Sequence, residues 1–449
     1  MVSRTAISGP ASLAPRSSGV GPGRGLLAVV VVTLALTPLV NPKGPGHTAV
    51  VDVLMALSTF SVFVWALRHR AAVRLPYIVP MTALMLTGLA SALLSVAPAN
   101  GALAIVQEIF LVLWCGALVT LCRTTVGLRV VVRAWAVSAT AWAGLLVVAV
   151  VGNVSFLLGT TSGGGARVRL FFDHPNMAGN YFMIAIFVVV AAGYPRRIWL
   201  RSGACGLLFL AVLLTGSNAA LLSLAAGALA TAFLHVRARS GLIKATAVVA
   251  LGIGALSIAW IEVGSPLLAA AQQSDNSLLR YSVGRGARSA EGRVDLFQSQ
   301  LDLYERGDLI GIGPATTYQT LDAEAAPIVK EAHSDYLGTL VERGPLGLVA
   351  VLGLFGTIWA RLIGPTRRPL SPRLHAVIPV PAALAGACVA FAAFAVTHEM
   401  LHYRWLFTML AVIAALHLLQ RAEPGAHRHG AAHIDPRPRS TGVVRASDR

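Results

Sequence analysis

Residues 102–122 read ALAIVQEIFLVLWCGALVTLC, an apolar run that contains a single acid, Glu108, and no base. A helix needs roughly 20 apolar residues to cross a hydrocarbon core about 30 Å thick, and this run provides them. Arginine follows at position 123, and a second apolar run then occupies residues 128–151. Long apolar runs separated by short arginine-bearing gaps are typical of helices that cross a membrane repeatedly.

The same pattern continues through most of the 449 residues, of which 56% are hydrophobic and only 12% are charged. Such a composition excludes a soluble globular protein. The predicted spans lie at residues 25–40, 48–67, 77–96, 102–122, 128–151, 179–194, 204–215, 219–234, 243–261, 345–363, 376–396 and 405–419. The run at 204–215 is short, and omitting it would place the two termini on opposite faces. We therefore expect an all-α integral membrane protein with about 12 transmembrane helices.

Arginine and lysine are distributed unevenly between the two sets of connecting segments. Gaps on the side of the N-terminus carry most of them, whereas the short loops of the other face hold only Lys43, Arg167, Arg169 and Arg404. Because cytoplasmic loops retain Lys and Arg, both termini are predicted to be cytoplasmic. The predicted divisions are a cytoplasmic N-terminal segment (1–24), transmembrane helices 1–9 (25–261), a large extracytoplasmic loop (262–344), transmembrane helices 10–12 (345–420) and a disordered basic cytoplasmic tail (421–449).

This asymmetry also explains the net charge of +17. No basic stretch is interleaved with aromatic residues, so no nucleic-acid partner is expected. The four cysteines lie in or beside spans and predict no disulfide framework. The apolar run near the N-terminus is interpreted as an uncleaved first helix, because eleven further spans follow it. The tail histidines at positions 427, 429 and 433 are either solvated or able to bind a metal.

Two acids lie well inside apolar runs. Asp52 and Glu108 are each either a coupling site of a transporter or a hydrogen-bonded packing element. No basic residue is placed at mid-span to pair with them, and the two halves of the chain show no internal repeat. Both observations weaken a secondary-transporter interpretation.

The predicted outer loop before the sixth span contains candidate ligand groups. It ends in the sequence Arg167-Val-Arg169-Leu-Phe-Phe-Asp173-His174-Pro175-Asn176. Two arginines and an asparagine at the start of a helix suit an anionic or sugar ligand, which makes Arg167, Arg169 and Asn176 candidates for binding a donor diphosphate or glycan. The alternative is that Asn176 caps the helix and the arginines anchor it at the interface.

The large outer loop is predicted to contain an amphipathic helix over residues 292–306. Its apolar residues Val294, Phe297, Leu301 and Tyr304 recur at helical spacing, so this helix should lie on the membrane or against the bundle. Four arginines precede or begin it, at positions 280, 285, 288 and 293. Guanidinium groups bind phosphate oxygens through paired hydrogen bonds, and a solvated basic surface is the alternative. Arg288 is included among the candidate donor-binding residues.

Another predicted helix begins near residue 331 and continues into the tenth span. His333 at the outer interface is a candidate general base that activates a hydroxyl, and the alternative is that it caps this helix. Ser334 and Asp335 adjoin it, but adjacent helical residues point in different directions, which disfavours a hydrolase triad. No HxxxH or HExxH spacing supports a metal site here.

Taken together, these motifs resemble the O-antigen ligase and O-antigen polymerase superfamily of integral membrane glycosyltransferases. The resemblance covers roughly residues 151–363. It rests on four features in order: the arginine-bearing loop that ends in His174-Pro175-Asn176 with Gly179; the turn Thr215-Gly216-Ser217; Arg293 followed by Gly311-Ile-Gly313; and Ala332-His333-Ser-Asp-Tyr336 with Glu342-Arg-Gly344-Pro-Leu-Gly347.

The resemblance implies a GT-C-like helical fold in the inner (plasma) membrane of a bacterium. Such a protein takes a glycan from a polyprenyl diphosphate carrier and joins it to an acceptor hydroxyl outside the cytoplasm. The implied partners are a polyprenyl-diphosphate-linked glycan donor, membrane lipid, and a glycan, lipid or protein acceptor. Neither a cofactor nor a metal is implied.

Two catalytic residues are carried over by the resemblance. His333 matches the loop histidine that activates the acceptor, and Arg293 matches the loop arginine that holds the donor diphosphate. Asp335 is added as a candidate ligand of the donor or glycan. Two positions depart from the family pattern: Asn218 stands where the turn usually has arginine, and Ser334 stands where asparagine usually follows the histidine.

The chemistry of the proposed residues is consistent with this assignment, since a diphosphate leaving group needs fixed cations and the acceptor needs a base. The motifs do not separate a ligase from a polymerase. The rival hypothesis is a transporter or flippase of polyprenyl-linked glycans, whose key groups should lie at mid-membrane. A third hypothesis is a non-catalytic scaffold of a polysaccharide export complex.

Overall fold

The structure is a computed structural model that describes residues 21–44, 48–159, 167–275, 280, 286–307, 309–324 and 333–422, with the backbone alone at 286–293. These residues form helices joined by short segments. The β-pairing within these ranges is one isolated antiparallel bridge between Lys43 and Ala49. For this part of the chain the expected all-α architecture is confirmed.

The first helices of the bundle are α1 (Arg24–Ala35), α2 (Val50–Arg68), α3 (Ile78–Leu94), α4 (Pro98–Leu121), α5 (Thr125–Val151), α6 (Ser155–Leu158), α7 (Pro175–Ala192), α8 (Ile198–Thr215) and α9 (Asn218–Ser240). They are followed by α10 (Leu242–Ala259), a π-helical turn (Trp260–Gly264), α11 (Ser265–Gln273), α12 (Gly286–Arg306), α13 (Thr317–Ala323), α14 (Asp335–Arg367), α15 (Pro372–His375), α16 (Pro381–Ala395) and α17 (Arg404–Ala422).

Nine helices of the described ranges are long and apolar enough to cross a membrane, with α10, the π turn and α11 forming one of them over Leu242–Gln273. Three shorter apolar helices, α1, α3 and α16, occupy the positions of further predicted spans. The short seventh run belongs to the 18-residue helix Ile198–Thr215, which begins before the run does. The chain is thus a multi-pass membrane protein, and a total of twelve spans remains a prediction.

Local sequence signals place several helix ends. Thr124 accepts a hydrogen bond from the Gly127 amide and so caps α5, and Ser217 caps α9 in the same way. Gly193 and Gly216 end α7 and α8 in the left-handed conformation, which glycine adopts without a Cβ clash. Short turns that contain Arg123 and Arg196–Arg197 thus separate α4 from α5 and α7 from α8.

Burial separates central helices from peripheral ones. In α7 83% of the span is buried within the protein and in α17 67%, whereas in the long helix Leu242–Gln273 only 6% is buried. Trp405 of α17 packs edge-to-face against Phe172 and Tyr181, and its indole N–H donates to Asn180 Oδ1 at 2.8 Å. Helices α7 and α17 therefore form the centre of the bundle.

Helix α16 packs against α9 through glycine. A Cβ added at Gly386 would lie 2.5 Å from the Gly227 carbonyl oxygen and even closer to Thr231 Oγ1. Small residues let the two backbones touch, as is common between membrane helices. This contact fixes the helix that leads directly into residues 396–403.

Both intramembrane acids have arginine partners, and these arginines lie just outside the predicted spans 345–363 and 405–419 and not at mid-span. Asp52 receives two hydrogen bonds of 2.6 Å from Arg404, and Glu108 is paired with Arg343. The arginines lie near the ends of α17 and of the first section of α14, far from these acids in sequence. Asp52 also accepts from the Ala49 amide at 2.8 Å, so it closes the start of α2.

The predicted amphipathic helix exists as α12 and begins six residues earlier than expected. Among its described side chains (294–306), the buried ones are Leu296, Gln300 and Leu303, and Leu303 joins an apolar cluster with Leu337 of α14. Of the predicted apolar face, Val294 and Phe297 are exposed, whereas Tyr304 packs against this cluster. The helix therefore has two apolar sides, of which one packs on the protein.

The segment Gly311-Ile-Gly313-Pro314 docks onto a kink in α14. The amides of Ile312 and Gly313 donate to the carbonyls of Val341 and Glu342 at 3.1 and 3.0 Å. Gly344, at φ 68°, interrupts the helix there. The turn predicted at Gly311–Pro314 is confirmed, and it fastens part of the large loop to the helix that carries Arg343.

Helices extend into both ends of the predicted large loop (262–344), because α11 ends at Gln273 and α14 begins at Asp335. The N-terminal residues 1–20 and the tail after residue 422, with its three histidines, lie outside the described residues.

Candidate functional site

Five segments meet at one end of the bundle, which we call the site face. They are residues 36–44, 167–174, 309–317, 333–335 and 396–404. Contacts between them are direct: the Val40 and Asn41 amides donate to the Phe171 carbonyl, and the Met400 amide donates to Asp335. The arginine distribution predicts that this face lies outside the cytoplasm.

Two adjoining cavities open at the site face. The larger, of about 430 Å³, runs between α2 and α4 and the start of α17, and the smaller, of about 140 Å³, lies between α4 and α14. They share Gln107, Leu111 and His402. The larger cavity is mainly apolar along α2 and α4, where the exposed residues Val53 and Val106 continue its wall onto the lateral surface of the bundle.

Carboxylates line the smaller cavity, and three of them, Glu108, Glu342 and Asp335, accept hydrogen bonds from other segments of the protein. Glu108 is paired with Arg343. Glu342 accepts from the Ala315 amide at 3.0 Å and from Thr317 Oγ1 at 2.7 Å. These bonds fix the cavity wall, because each carboxylate joins two segments that are distant in the sequence.

Asp335, predicted to bind donor or glycan, accepts from the amides of Met400 and Leu401 at 2.9 and 3.3 Å. It is 4% exposed and lines the smaller cavity. Its carboxylate thereby ties the start of α14 to the segment before α17. The sequence showed an acid beside His333 but gave no sign of this long-range contact.

His333 is exposed at the start of α14, directly before the cavity-lining residues Ser334 and Asp335. The cap of α14 is Ser334, whose Oγ accepts from the Leu337 amide and donates to the Ala395 carbonyl, both at 3.3 Å. His333 is therefore not the cap, and the capping alternative is wrong. Ser334 and Asp335 are both engaged elsewhere, so no triad with His333 is formed.

Arg167 is 3% exposed and is held by protein acceptors. Its Nε and Nη2 donate to the Thr215 carbonyl at 3.2 and 3.1 Å, and Nη2 also donates to Asn176 Oδ1 at 2.8 Å. Arg167 thus joins the end of α8 to the start of α7. His174, not Asn176, is the cap of α7, since its Nδ1 accepts from the Asn176 amide at 3.1 Å.

Arg169 is bound to the backbone of its own loop. Its Nε donates to the Gly159 carbonyl at 2.6 Å, and its Nη1 donates to the Asp173 carbonyl at 2.9 Å. These bonds hold residues 167–173 in a compact turn against the end of α6. Both predicted loop arginines therefore carry structural hydrogen bonds at the site face.

Lys43 and Asp173 form an ion pair of 2.7 Å at the rim of the larger cavity. Burial by itself would raise the pKa of Asp173, but the hydrogen bond and the charge of Lys43 outweigh it and hold that pKa below its usual value. Because both side chains are partly exposed, solvent screens the pair and its contribution to stability is small.

The backbone of Arg288 and Arg293 lies in α12, and their side chains are outside the described residues. Asn218 is exposed at the first position of α9, immediately after the turn whose carbonyls bind Arg167. Within the described ranges, no group of three or more His, Cys, Asp or Glu side chains is placed to hold a metal ion.

Sequence reasoning missed His398, which follows α16. Its ring lies 6.2 Å from that of His333, nearly parallel to it, and its Nε2 contacts Asn176 Nδ2. A histidine and a glutamate directly after an apolar run were a possible signal, because polar residues at the end of a span face either water or a site.

Residues 203–352, about a third of the chain, match the family model described as O-antigen ligase. A comparison with curated proteins found no match. The matched region extends from α8 to the second section of α14 and contains Arg293 and His333. It confirms the predicted resemblance of this chain to the O-antigen ligase and O-antigen polymerase superfamily.

Proposed function

We propose that this protein is an O-antigen ligase-like membrane glycosyltransferase, acting as a ligase or polymerase. It transfers a glycan from a polyprenyl diphosphate carrier to an acceptor hydroxyl at the site face. The family match over residues 203–352 carries this proposal. The exposed His333 directly precedes Ser334 and Asp335, which line the smaller cavity, and this cavity adjoins the larger one through Gln107, Leu111 and His402; this arrangement is consistent with the proposal.

In the proposed reaction, the acceptor oxygen forms a bond to C1 of the donor sugar as the bond from C1 to the diphosphate oxygen breaks. The polyprenyl diphosphate departs with the bonding electron pair. The proton of the acceptor hydroxyl passes to a ring nitrogen of His333. No nucleotide is consumed, because the diphosphate linkage already supplies a good leaving group.

The larger cavity suits an amphiphilic donor. Its walls are apolar between α2 and α4, and Lys43, His402 and Arg404 lie at its site-face end. Lys43 and Arg404 are each paired with a carboxylate, so their charges are largely neutralised within the protein. Neutralisation of the donor diphosphate is therefore assigned to Arg293, with Arg288, five residues earlier in α12, as a second candidate.

The transporter hypothesis loses its main motivation. Asp52 and Glu108, the candidate coupling acids, are both bound to arginine and connect helices of the bundle. In the proposed setting, the protein lies in a bacterial inner membrane with both termini in the cytoplasm, and its partners are membrane lipid, the glycan donor and a glycan, lipid or protein acceptor.

The proposal is tested with the purified protein in liposomes that contain a polyprenyl diphosphate glycan, by measuring release of the carrier. Replacing His333 by Ala should lower turnover roughly 10²- to 10⁴-fold, the usual contribution of a positioned base, while donor binding is retained. His333→Asn should fail equally, because an amide cannot take up the proton. Near-native transfer by the Asn variant would exclude His333 as the base.

A further inference from the structure

His398 occupies a buried position between three parts of the site. It lies in the segment between α16 and α17 and is 7% exposed. Its ring stacks on Phe394 at 4.5 Å between centroids, and on its other neighbour, His333, at 6.2 Å with 12° between the planes. A change in the charge of His398 would therefore act on His333 over a short distance.

The orientation of the Asn176 amide follows from Arg167. A guanidinium nitrogen can only donate, so the atom of Asn176 that lies 2.8 Å from Arg167 Nη2 must be the carbonyl oxygen. The amide nitrogen of Asn176 is then the group that faces His398 Nε2. Since that nitrogen is a donor, Nε2 of His398 must accept.

This arrangement fixes the protonation of His398. With Nε2 acting as acceptor, the single ring proton lies on Nδ1, which is 3.1 Å from Thr397 Oγ1. A second proton on Nε2 would point at the two amide hydrogens of Asn176. The chain of contacts from Arg167 through Asn176 thus holds His398 as the neutral, Nδ1-protonated imidazole.

Charge on His398 matters because His333, as the proposed base, becomes an imidazolium when it takes the proton of the acceptor. By Coulomb's law, a second imidazolium 6.2 Å away opposes that protonation by roughly three- to hundredfold, for a dielectric constant between about 80 and 20. A neutral His398 imposes no such penalty. It also provides a flat surface beside the His333 ring.

We infer that His398 is a positioning residue, kept neutral by Arg167 and Asn176 so that the adjacent His333 can accept the proton of the acceptor hydroxyl. The inference rests on the proposed function. It gives Asn176 and Arg167 a role different from direct binding of the donor.

In the described part of the chain, charged or titratable groups on the elements around His398 include Arg167, His174, His333, Asp335, Glu399, His402 and Arg404, of which Arg404 is paired with Asp52. Asp335 is bound to the amides of Met400 and Leu401, and Arg167 is bound to carbonyls and to Asn176. Nδ1 of His174 accepts from the backbone N–H of Asn176. The direct hydrogen-bond contact of His398 with the start of α7 is the neutral side chain of Asn176.

The decisive variant is Asn176→Asp. A carboxylate at this position still accepts from Arg167, but it now also favours a proton on His398 Nε2 and hence the imidazolium. At neutral pH, kcat is expected to fall roughly three- to hundredfold, with an unchanged KM for the polyprenyl diphosphate glycan. Activity should recover as the pH is raised, because the second proton is then removed.

The matched control is His398→Gln, which is always neutral and can still accept from Asn176 and donate to Thr397. Combined with Asn176→Asp, it should remove the pH-dependent loss of kcat that Asn176→Asp causes alone, because glutamine cannot become a cation. A loss as large as that of His333→Ala would overturn the inference, because it would mean that the imidazole of His398 itself is required. Native kcat and an unchanged pH profile in Asn176→Asp would also overturn it.

A spectroscopic measurement separates this inference from the proposed function. Nitrogen-15 NMR of histidine-labelled full-length protein, with His398→Gln used to assign the signal, should show a neutral Nδ1–H imidazole at neutral pH. An Nε2–H tautomer or an imidazolium would refute the inference. Failure of the proposed function is seen instead as absence of carrier release by the native protein.

Discussion

Arg343 and Glu108 form a two-pronged ion pair inside the helical bundle. Nη1 of Arg343 donates to Oε2 of Glu108 at 3.1 Å, and Nη2 donates to Oε1. Nη1 also donates to the Leu84 carbonyl at 2.8 Å. The side chains of the pair are only 7% and 10% exposed. One arginine thus joins α14 to both α3 and α4, directly before the kink at Gly344.

Removing one member of this pair should destabilise the folded protein more than removing both. Glu108→Leu leaves a buried guanidinium without its counter-charge and should lower the free energy of unfolding by about 3–5 kcal/mol, whereas Arg343→Met with Glu108→Leu should cost much less. Thermal unfolding of the single and double variants in detergent measures the difference. Equal losses in the two variants would contradict a mutual charge compensation.

Gly344→Ala should detach the docked segment of the large loop. At φ 68° an added Cβ would lie 1.9 Å from the Leu309 carbonyl oxygen, so the segment that leads to Gly311 must move. The strained backbone alone costs about 1–3 kcal/mol. We expect faster proteolysis after residue 308 and loss of carrier release. The control is Gly356→Ala in the same helix, where no atom lies within 4 Å of the added Cβ.

Asn218→Arg should strengthen donor binding. The residue is exposed at the first turn of α9, directly after the turn that binds Arg167, and the resemblance implies an arginine at this position. One added charge-assisted hydrogen bond to phosphate is worth about 1.5–3 kcal/mol, so the KM for the donor should fall roughly 10- to 100-fold. Asn218→Gln serves as the neutral control. An equal effect of Gln and Arg would exclude a role for charge.

Arg293→Ala should raise the KM for the donor roughly tenfold or more, because a diphosphate loses a paired hydrogen-bond donor. Arg293→Lys keeps the charge but not the planar fork, and an intermediate loss is expected. Arg306→Ala is the matched control on α12, since Arg306 is exposed and pairs with Glu324. Unchanged donor binding in Arg293→Ala would remove this residue from the site.

The predicted orientation can be tested with single cysteines. Ser240→Cys at the end of α9 and Asp322→Cys in α13 are both exposed and should be labelled from opposite sides of the membrane, the first from the cytoplasm. Cys205→Ser provides the background, because the other native cysteines are buried. Labelling of both positions from one side would refute the orientation.

Much of the architecture is predictable because a membrane span is a local property. A run such as residues 102–122 must satisfy its backbone polar groups internally in lipid, so its helical state follows from length and polarity alone. The family resemblance also came from local motifs, and the match over residues 203–352 confirms it. The π turn after α10 and the continuation of helical structure through α11 to Gln273 were not predicted, since apolar periodicity does not define where a helix stops.

The partners of polar side chains could not be predicted in this way. Glu108 and Arg343 are separated by 235 positions and Asp52 and Arg404 by 352, and nothing in either neighbourhood specifies the other. Likewise, the sequence placed Arg167 and Asn176 at a helix start but could not show that they contact the Thr215 carbonyl and His398.

The sequence by itself therefore determined the membrane class, the positions of the apolar helices and the family to which the motifs are similar. The membrane class and the helix positions depend on the transfer of short segments from water to lipid, which each segment undergoes largely on its own. The motifs are likewise short stretches of neighbouring residues. Only the tertiary structure decided which charges are paired, which end of α14 bears the kink and that His398 lies beside His333. Those contacts arise when separate helices pack together, and their energies depend on distances that no single segment contains.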